Sequence, residues 1–204
     1  MIRCFVAFGL PREVRWRLEG AQAGLPVGRA VPPENLHVTV AFLGELPGPA
    51  VDDVHYALSD LALPGFSMAM DGVGLFGGRA PTSLYARVVP DPALAYLHRK
   101  VTQALRSAGV SPKAGRYIPH ATLARFSAGG LRGEDAEAIQ RFVANRLSLK
   151  IPAFEVEALT LFRSRLGKTA RYEALAHYPL ATGYAAYAEH GADDPAEAEG
   201  PGAG

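Results

Sequence analysis

Cysteine is almost missing: Cys4 is the only one in 204 residues. A single thiol cannot close an internal disulfide, and it leaves no thiolate cluster for a structural zinc or iron–sulfur site. It lies in the apolar run IRCFVAF and reads as a small buried hydrophobe. Excess charge is missing too, with 21 Lys and Arg against 20 Asp and Glu, a net of +1. That balance gives no global case for nucleic-acid binding, so any basic surface must be local. No stretch approaches the roughly eighteen apolar residues of a membrane span. The start MIRCFVAFGLP is too short an apolar run, without a small-residue cleavage site, to be a secretory signal. The chain is therefore expected to be soluble and cytoplasmic. Neither GxSxG nor HExxH occurs, and GVGLFGG at 72–78 lacks the GK[ST] ending of a P-loop, so it reads as a hairpin. What is present, 49% hydrophobic and 20% charged residues, suffices for one large domain or two small lobes.

Apolar periodicity predicts the elements. Residues 2–8 form a strand. Residues 11–23 form a helix with Val14, Leu18 and Ala21 on one side, after a Pro start. A Pro-rich connection leads to a strand over 36–46. A helix over 49–62 buries Val51, Val54, Leu58 and Leu61, and strands at 66–76 and 83–89 flank the turn GGRAPT. A helix over 92–108 carries Leu94, Leu97, Val101 and Leu105. A strand at 120–126, a helix at 133–147 and a hairpin, 154–164 with 171–180 about the turn RLGKT, complete the expected fold. Beyond Thr182 the composition thins to Ala, Gly, Glu, Asp and Pro, so 183–204 reads as a tail, with at most a short helix over 184–190.

This order hides a duplication. Each half runs strand, Pro-started helix, a strand opening His-x-Thr, helix, strand. The expectation is an α+β fold of two pseudo-twofold-related lobes, with antiparallel sheets and outer helices around a central cleft, all within 1–182. Phe154 stands in this scheme where Phe66 stands in the first half.

The frames HVTV at 37–40 and HATL at 120–123 carry the chemistry. Alternation in a strand puts His37 and Thr39 on one face and Val38 and Val40 on the other. His120 and Thr122 likewise share a face opposite Ala121 and Leu123. A lone strand histidine is usually structural; two at equivalent places in a repeat are not explained by packing. Brought together, they supply a general base and a general acid, with two hydroxyls to hold an anion between them. Arg125 follows three residues after Thr122. Its odd spacing requires a twist or bulge before it can join the groove. Without a good nucleophile, this set suits a phosphodiester better than a carbonyl.

Metal chemistry is the competing use of paired histidines, but no carboxylate lies within two residues of either. Asp52, Asp53 and His55 fall on a helix whose spacing reads as a solvated face. His98 and His177 read as structural. No metal or cofactor is expected.

The combination of HVTV and HATL with FVAFGLP, VPPENLHVTVAFLGEL, YIPHATLARF and FRSRLGKTARYEALAHYPL resembles the two-histidine phosphoesterases. Among these it is most similar to the RNA 2′,3′-cyclic phosphodiesterases, also called LigT-like 2′-5′ RNA ligases. The resemblance covers about residues 1–181. It implies a metal-independent hydrolase of RNA ends bearing a 2′,3′-cyclic phosphate, tRNA fragments or cyclic nucleotides among them. It also implies His120 as the base that activates water, His37 as the donor to the leaving 3′-oxygen, and Thr39, Thr122 and Arg125 on the phosphate. Reversal would join 2′-5′ ends. The residues alone leave the two imidazoles interchangeable. They also leave open an enzyme for small cyclic nucleotides and a non-catalytic RNA- or nucleotide-binding module. Phe42 and Tyr85 are candidates to stack a base. Arg29, Lys113, Arg116 and Arg163 are candidates for RNA phosphates. The cleft lies within one chain, so a monomer with no obligatory protein partner is expected.

Overall fold

The computed structural model describes residues 1–112, 115–165, 167 and 170–181. Lys113 and the 183–204 tail, with its candidate helix, lie outside them. The described chain is α+β, with four α-helices and one nine-stranded sheet whose strands pair antiparallel. In chain order the elements are β1 (Ile2–Gly9), α1 (Arg12–Gln22), β2 (Arg29–Ala30), β3 (His37–Leu46), α2 (Gly48–Ser59), β4 (Phe66–Phe76) and β5 (Ser83–Val88). Then follow α3 (Pro92–Ser107), β6 (His120–Arg125), α4 (Gly133–Ala144), β7 (Lys150–Val156), β8 (Ala158–Arg165) and β9 (Arg171–Pro179).

The helices start and bury as their sequences dictate. Pro11 sits at the N-cap of α1, and Val14, Leu18 and Ala21 turn inward. Asp91 caps α3 by accepting from the backbone N–H of Ala93 at 2.7 Å and Leu94 at 3.4 Å, with Pro92 as the first helical residue. Leu94, Leu97, Val101 and Leu105 are all essentially inaccessible. Two helices stop short of expectation. α2 ends at Ser59, so Leu61 lies beyond it and is only half-buried, and α4 ends at Ala144.

The sheet order is β7-β4-β5-β6-β3-β1-β8-β9, with β2 added to β6. The two His-x-Thr strands, β3 and β6, are neighbours at its centre, in register only at Val38 and Ala121. Outward from that seam the order reads symmetrically: β5 matches β1, and β4 matches β8. Each half therefore lends a strand to the other, since β4 follows β3 in the chain yet pairs with β5. The helices cross in the same way, α1 packing behind β6 and α3 behind β3. Gln22 at the end of α1 donates from Nε2 to the carbonyls of Val31 and Leu123, both at 2.8 Å.

Two expectations need correction here. The expected strand over 154–164 is two strands, β7 pairing with β4 and β8 with β1, separated only by Glu157. Consequently Phe154 is not the counterpart of Phe66; β7 lies beside β4, and β8 takes the equivalent place. The connection also shapes the sheet. β7 and β8 stand six strand spacings apart along the order, which would be about 29 Å in a flat sheet at about 4.8 Å per strand. A single intervening residue spans at most about 7 Å. The sheet must therefore curl until its β7 edge comes close to β8, which turns the His-x-Thr face of the central strands β3 and β6 toward the inside of the curve if that face is the concave one.

Candidate active site

Both histidines open their strands and are held alike. His37 Nδ1 lies 2.7 Å from the carbonyl oxygen of Asn35, and His120 Nδ1 lies 2.7 Å from that of Ile118. A carbonyl only accepts, so Nδ1 carries the proton in the neutral ring and Nε2 carries the lone pair. In each case the partner is the residue two positions earlier. The Asn35 loop is itself fixed, its side-chain amide donating to the carbonyl of Ala170 at 2.7 Å.

The antiparallel register about Val38 and Ala121 sets His37 level with Thr122, and Thr39 level with His120. Four polar side chains thus form a small rectangle across the seam. The Thr39 hydroxyl lies 3.0 Å from His37 Nε2 and donates to it in the neutral state. Tyr117 spans the seam from the loop before β6, its hydroxyl donating to the carbonyl of Thr39 at 3.3 Å. One face of Tyr117 is covered by His98, ring centroids 3.8 Å apart and nearly parallel.

Arg125 reaches the groove through the irregularity its spacing requires. Pairing with β5 jumps from Leu84–Ala124 to Tyr85–Thr122, leaving Leu123 as the extra residue of a bulge. Leu123 and Ala124 are both buried, and alternation resumes with Arg125 on the His120 face. β3 does the same. Its pairing with β1 jumps from Val6–Ala41 to Ala7–Thr39, so Val40 is extra, and it too is the third residue after its histidine. That bulge carries Phe42, 50% exposed, to the place in β3 that Arg125 holds in β6. The symmetry of the frames therefore ends in an asymmetric pair, a cation on one side and an aromatic on the other.

Aromatic walls dry the two imidazoles. Around His37 stand Phe5 (ring centroids 4.9 Å apart), Tyr172 (5.2 Å, edge-on) and Phe162 (6.4 Å). His120 meets Phe76 at 4.8 Å and Tyr85 at 5.4 Å, both edge-on. Burial is the first cause pushing the His37 pKa down, to about 4, assisted by the charges of Arg125 and His120. The bond to Asn35 works the other way. Burial also lowers His120, with Arg125 adding to it and the Ile118 carbonyl opposing. Arg125 thus lies near enough for its charge to act on both rings.

The remaining candidates divide. Tyr85 stacks on Phe76 at 4.1 Å and so supports His120. Arg29 is the strand partner of Arg125, and both line a 420 Å³ cavity with Asn35 and Tyr172. Arg116 lines a separate 680 Å³ cavity at the His120 end. Arg163 pairs with Cys4, on the strand face opposite Phe162, and is not a groove residue. Cys4 is buried, and that burial raises its thiol pKa. His55 meets the Tyr178 hydroxyl and His177 the Thr160 hydroxyl, each at 3.0 Å. Among the described residues, no three His, Cys, Asp or Glu side chains gather as a metal site, and no helix is long and apolar enough to cross a membrane.

Sequence reasoning missed Phe5, Phe76, Phe162, Tyr172 and Tyr117. Only Tyr117 left a signal, three positions before His120. The others come from strands whose neighbours are set by the sheet.

A sequence profile described as the 2′-5′ RNA ligase superfamily matches residues 12–168. An RNA 2′,3′-cyclic phosphodiesterase of Geobacillus stearothermophilus is 32% identical over 183 residues, 86% of this chain; the chain spans 56% of that relative's length. One from Aeropyrum pernix is 28% identical over 76% of this chain and 86% of its own. A solved structure from Thermus thermophilus superposes with a TM-score of 0.71 at 26% identity, covering 88% of this chain and 98% of that one.

Proposed function

The chain belongs to the 2′-5′ RNA ligase superfamily, and from that membership and the groove's geometry we propose that it hydrolyses RNA ends bearing a 2′,3′-cyclic phosphate. The observation carrying this reading is the matched pair of imidazoles. Each has Nδ1 tied to a backbone carbonyl, with Arg125 bearing on both.

His120 Nε2 takes a proton from water, whose oxygen attacks phosphorus. The bond from phosphorus to the 3′-oxygen breaks, and His37 Nε2–H gives that oxygen its proton, leaving a 2′-phosphate. Thr39 and Thr122 hydroxyls and the Arg125 guanidinium hold the non-bridging oxygens, where charge grows in the transition state. The terminal nucleoside then occupies the His37 end, in the cavity of Arg29, Asn35 and Tyr172. Phe42 offers an exposed ring to a base.

With its pKa at about 4, His37 is neutral near pH 7, and its Nε2 receives the Thr39 hydroxyl. The substrate changes both. An anion about 5 Å away at an effective dielectric of about 20 is worth about 3 kcal/mol, or about 2.5 pKa units. That shift returns His37 to the ordinary imidazole range while Thr39 rotates to the phosphate. Proton donation by His37 is thus coupled to binding.

The test supplies three substrates to the protein in excess EDTA: a short RNA with a 2′,3′-cyclic end, a cyclic mononucleotide, and the RNA with a linear 3′-phosphate. Conversion of the cyclic RNA to its 2′-phosphate is expected. Turnover confined to mononucleotides would point to a small-nucleotide enzyme. Tight binding without turnover would leave a binding module.

A further inference from the structure

We propose that the 810 Å³ cleft between the end of α1 and the segment 145–150 holds the 5′ body of the RNA whose cyclic end lies in the groove, with one unpaired base stacked on Trp16 and phosphates against Arg17, Arg146 and Lys150. This rests on the reading above, in which the terminal nucleoside lies at the His37 end. The cleft takes no part in the chemistry, because α1 packs behind β6, on the face away from the histidines.

Val14, Leu18 and Ala21 dock α1 on the core, and the helical period puts Trp16 on the opposite side, 72% exposed. Folding gains little from an indole there. Gly20, one turn on, has nothing within 4 Å of where a Cβ would stand, so the space beside the indole is open. The facing wall is cationic. Arg146 donates to the carbonyls of Ala21, Ala23 and Phe142 and lies over the Phe142 ring, 3.6 Å from its centroid. Arg17 and Lys150 are exposed. Among the described residues the ion pairs are Arg141–Glu137 and Arg165–Glu173, so no carboxylate is paired with any of these three cations. That includes Asp71, the β4 strand partner of Lys150. Three cations thus stand against one carboxylate on the lining, Glu19, in a chain whose net charge is only +1. An uncovered aromatic face beside unpaired cations is the chemistry that binds single-stranded RNA, whose bases stack while its phosphates meet the charges.

The path from groove to cleft is short. Ala23 lines the cleft and Arg29 lines the cavity of the terminal nucleoside, and the chain between these two positions spans at most about 21 Å. At about 3.4 Å per stacked nucleotide, about six nucleotides cover that distance. A longer RNA is held at both points, and the second raises its affinity without a new contact at the reacting phosphate. A mononucleotide or trinucleotide reaches the groove alone. The cleft therefore favours RNA ends over small cyclic nucleotides through KM, and leaves kcat as it is.

Trp16 is the only tryptophan in the chain, so its emission reports on the cleft directly. A single-stranded RNA of about twelve nucleotides, twice the span above, is added with a 3′-hydroxyl end while nucleoside 2′-phosphate saturates the groove. It should quench the emission saturably. Arg17→Glu should weaken that binding about tenfold, and added salt should weaken it in the wild type. Turnover supplies the second readout, on a cyclic-ended RNA of the same length and a cyclic-ended trinucleotide. Trp16→Ala should raise KM for the longer RNA about tenfold, the worth of one stacked base. KM for the trinucleotide and kcat for both should be unchanged, and Trp16→Phe should recover part of the loss. No quenching by RNA, or a wild-type KM independent of length, overturns the proposal. So does emission that shifts to the blue with phosphatidylserine vesicles and ignores RNA, which would make the patch a membrane face. Quenching by RNA in a wild type that turns over no cyclic end refutes the hydrolytic reading and leaves the RNA site standing.

Discussion

Lowering the pH should destabilise this protein through His37 in particular. Its folded pKa is about 4 against an ordinary 6.5, so between those values the unfolded chain binds more protons. Stability then rises with pH across the window and is lost as pH falls from 6.5 toward 4. About 2.5 units at about 1.36 kcal/mol each amounts to about 3 kcal/mol. The measurement is urea unfolding of wild type and His37→Gln at intervals from pH 7.5 to pH 4. The difference between the two should be flat above about pH 7 and should shrink by about 3 kcal/mol on the acid side. His120, also lowered, remains in both proteins and cancels. NMR titration of the His37 ring supplies a second readout: a nucleoside 2′-phosphate should move its midpoint up by about two units. A free-state midpoint near 6.5, or no response to the nucleotide, would refute the account of a dry, anion-coupled acid.

His37→Ala and His120→Ala should each lower kcat by about two to four orders of magnitude, while equilibrium dialysis still detects nucleotide binding through the threonines and Arg125. Because both imidazoles are lowered, both limbs of the kcat/KM profile should be displaced to the acid side of the ordinary histidine value of 6.5, and Arg125→Gln should move both upward. Tyr117→Phe removes the hydroxyl bond to the Thr39 carbonyl across the seam. It should lower kcat severalfold with little change in KM, at about 1 kcal/mol of stability. Gly28, at φ +89°, lies behind Arg125; a Cβ there would strike the Phe126 ring and come within 2.9 Å of the Arg125 carbonyl. Gly28→Ala should cost about 1–3 kcal/mol in thermal unfolding.

Much of the site is legible because strand alternation is a local rule. The period of two puts His37 with Thr39 and His120 with Thr122 whatever the rest of the chain does. The apolar stripes of α1 and α3 are local in the same sense, and so is the Pro-started helix before each frame. The second strand of the final hairpin, β9, follows from its own pattern. The first does not. Glu157 ends β7 and begins β8 within a single apolar run, and nothing in that run says that its two parts belong to opposite ends of the sheet order.

By itself, then, the sequence determined two polar strand faces, each with an imidazole and a hydroxyl, and a duplicated α+β order able to bring them together. The tertiary structure alone decided the rest. Leu123 and Val40 become bulges only against the registers of β5 and β1, and those bulges turn Arg125 and Phe42 into the groove. The aromatic walls come from strands far away in the chain, and with them the unequal drying of two rings that the letters make alike. A bulge and a buried pKa both depend on what lies across the sheet, and no residue carries that information about its neighbours in its own name.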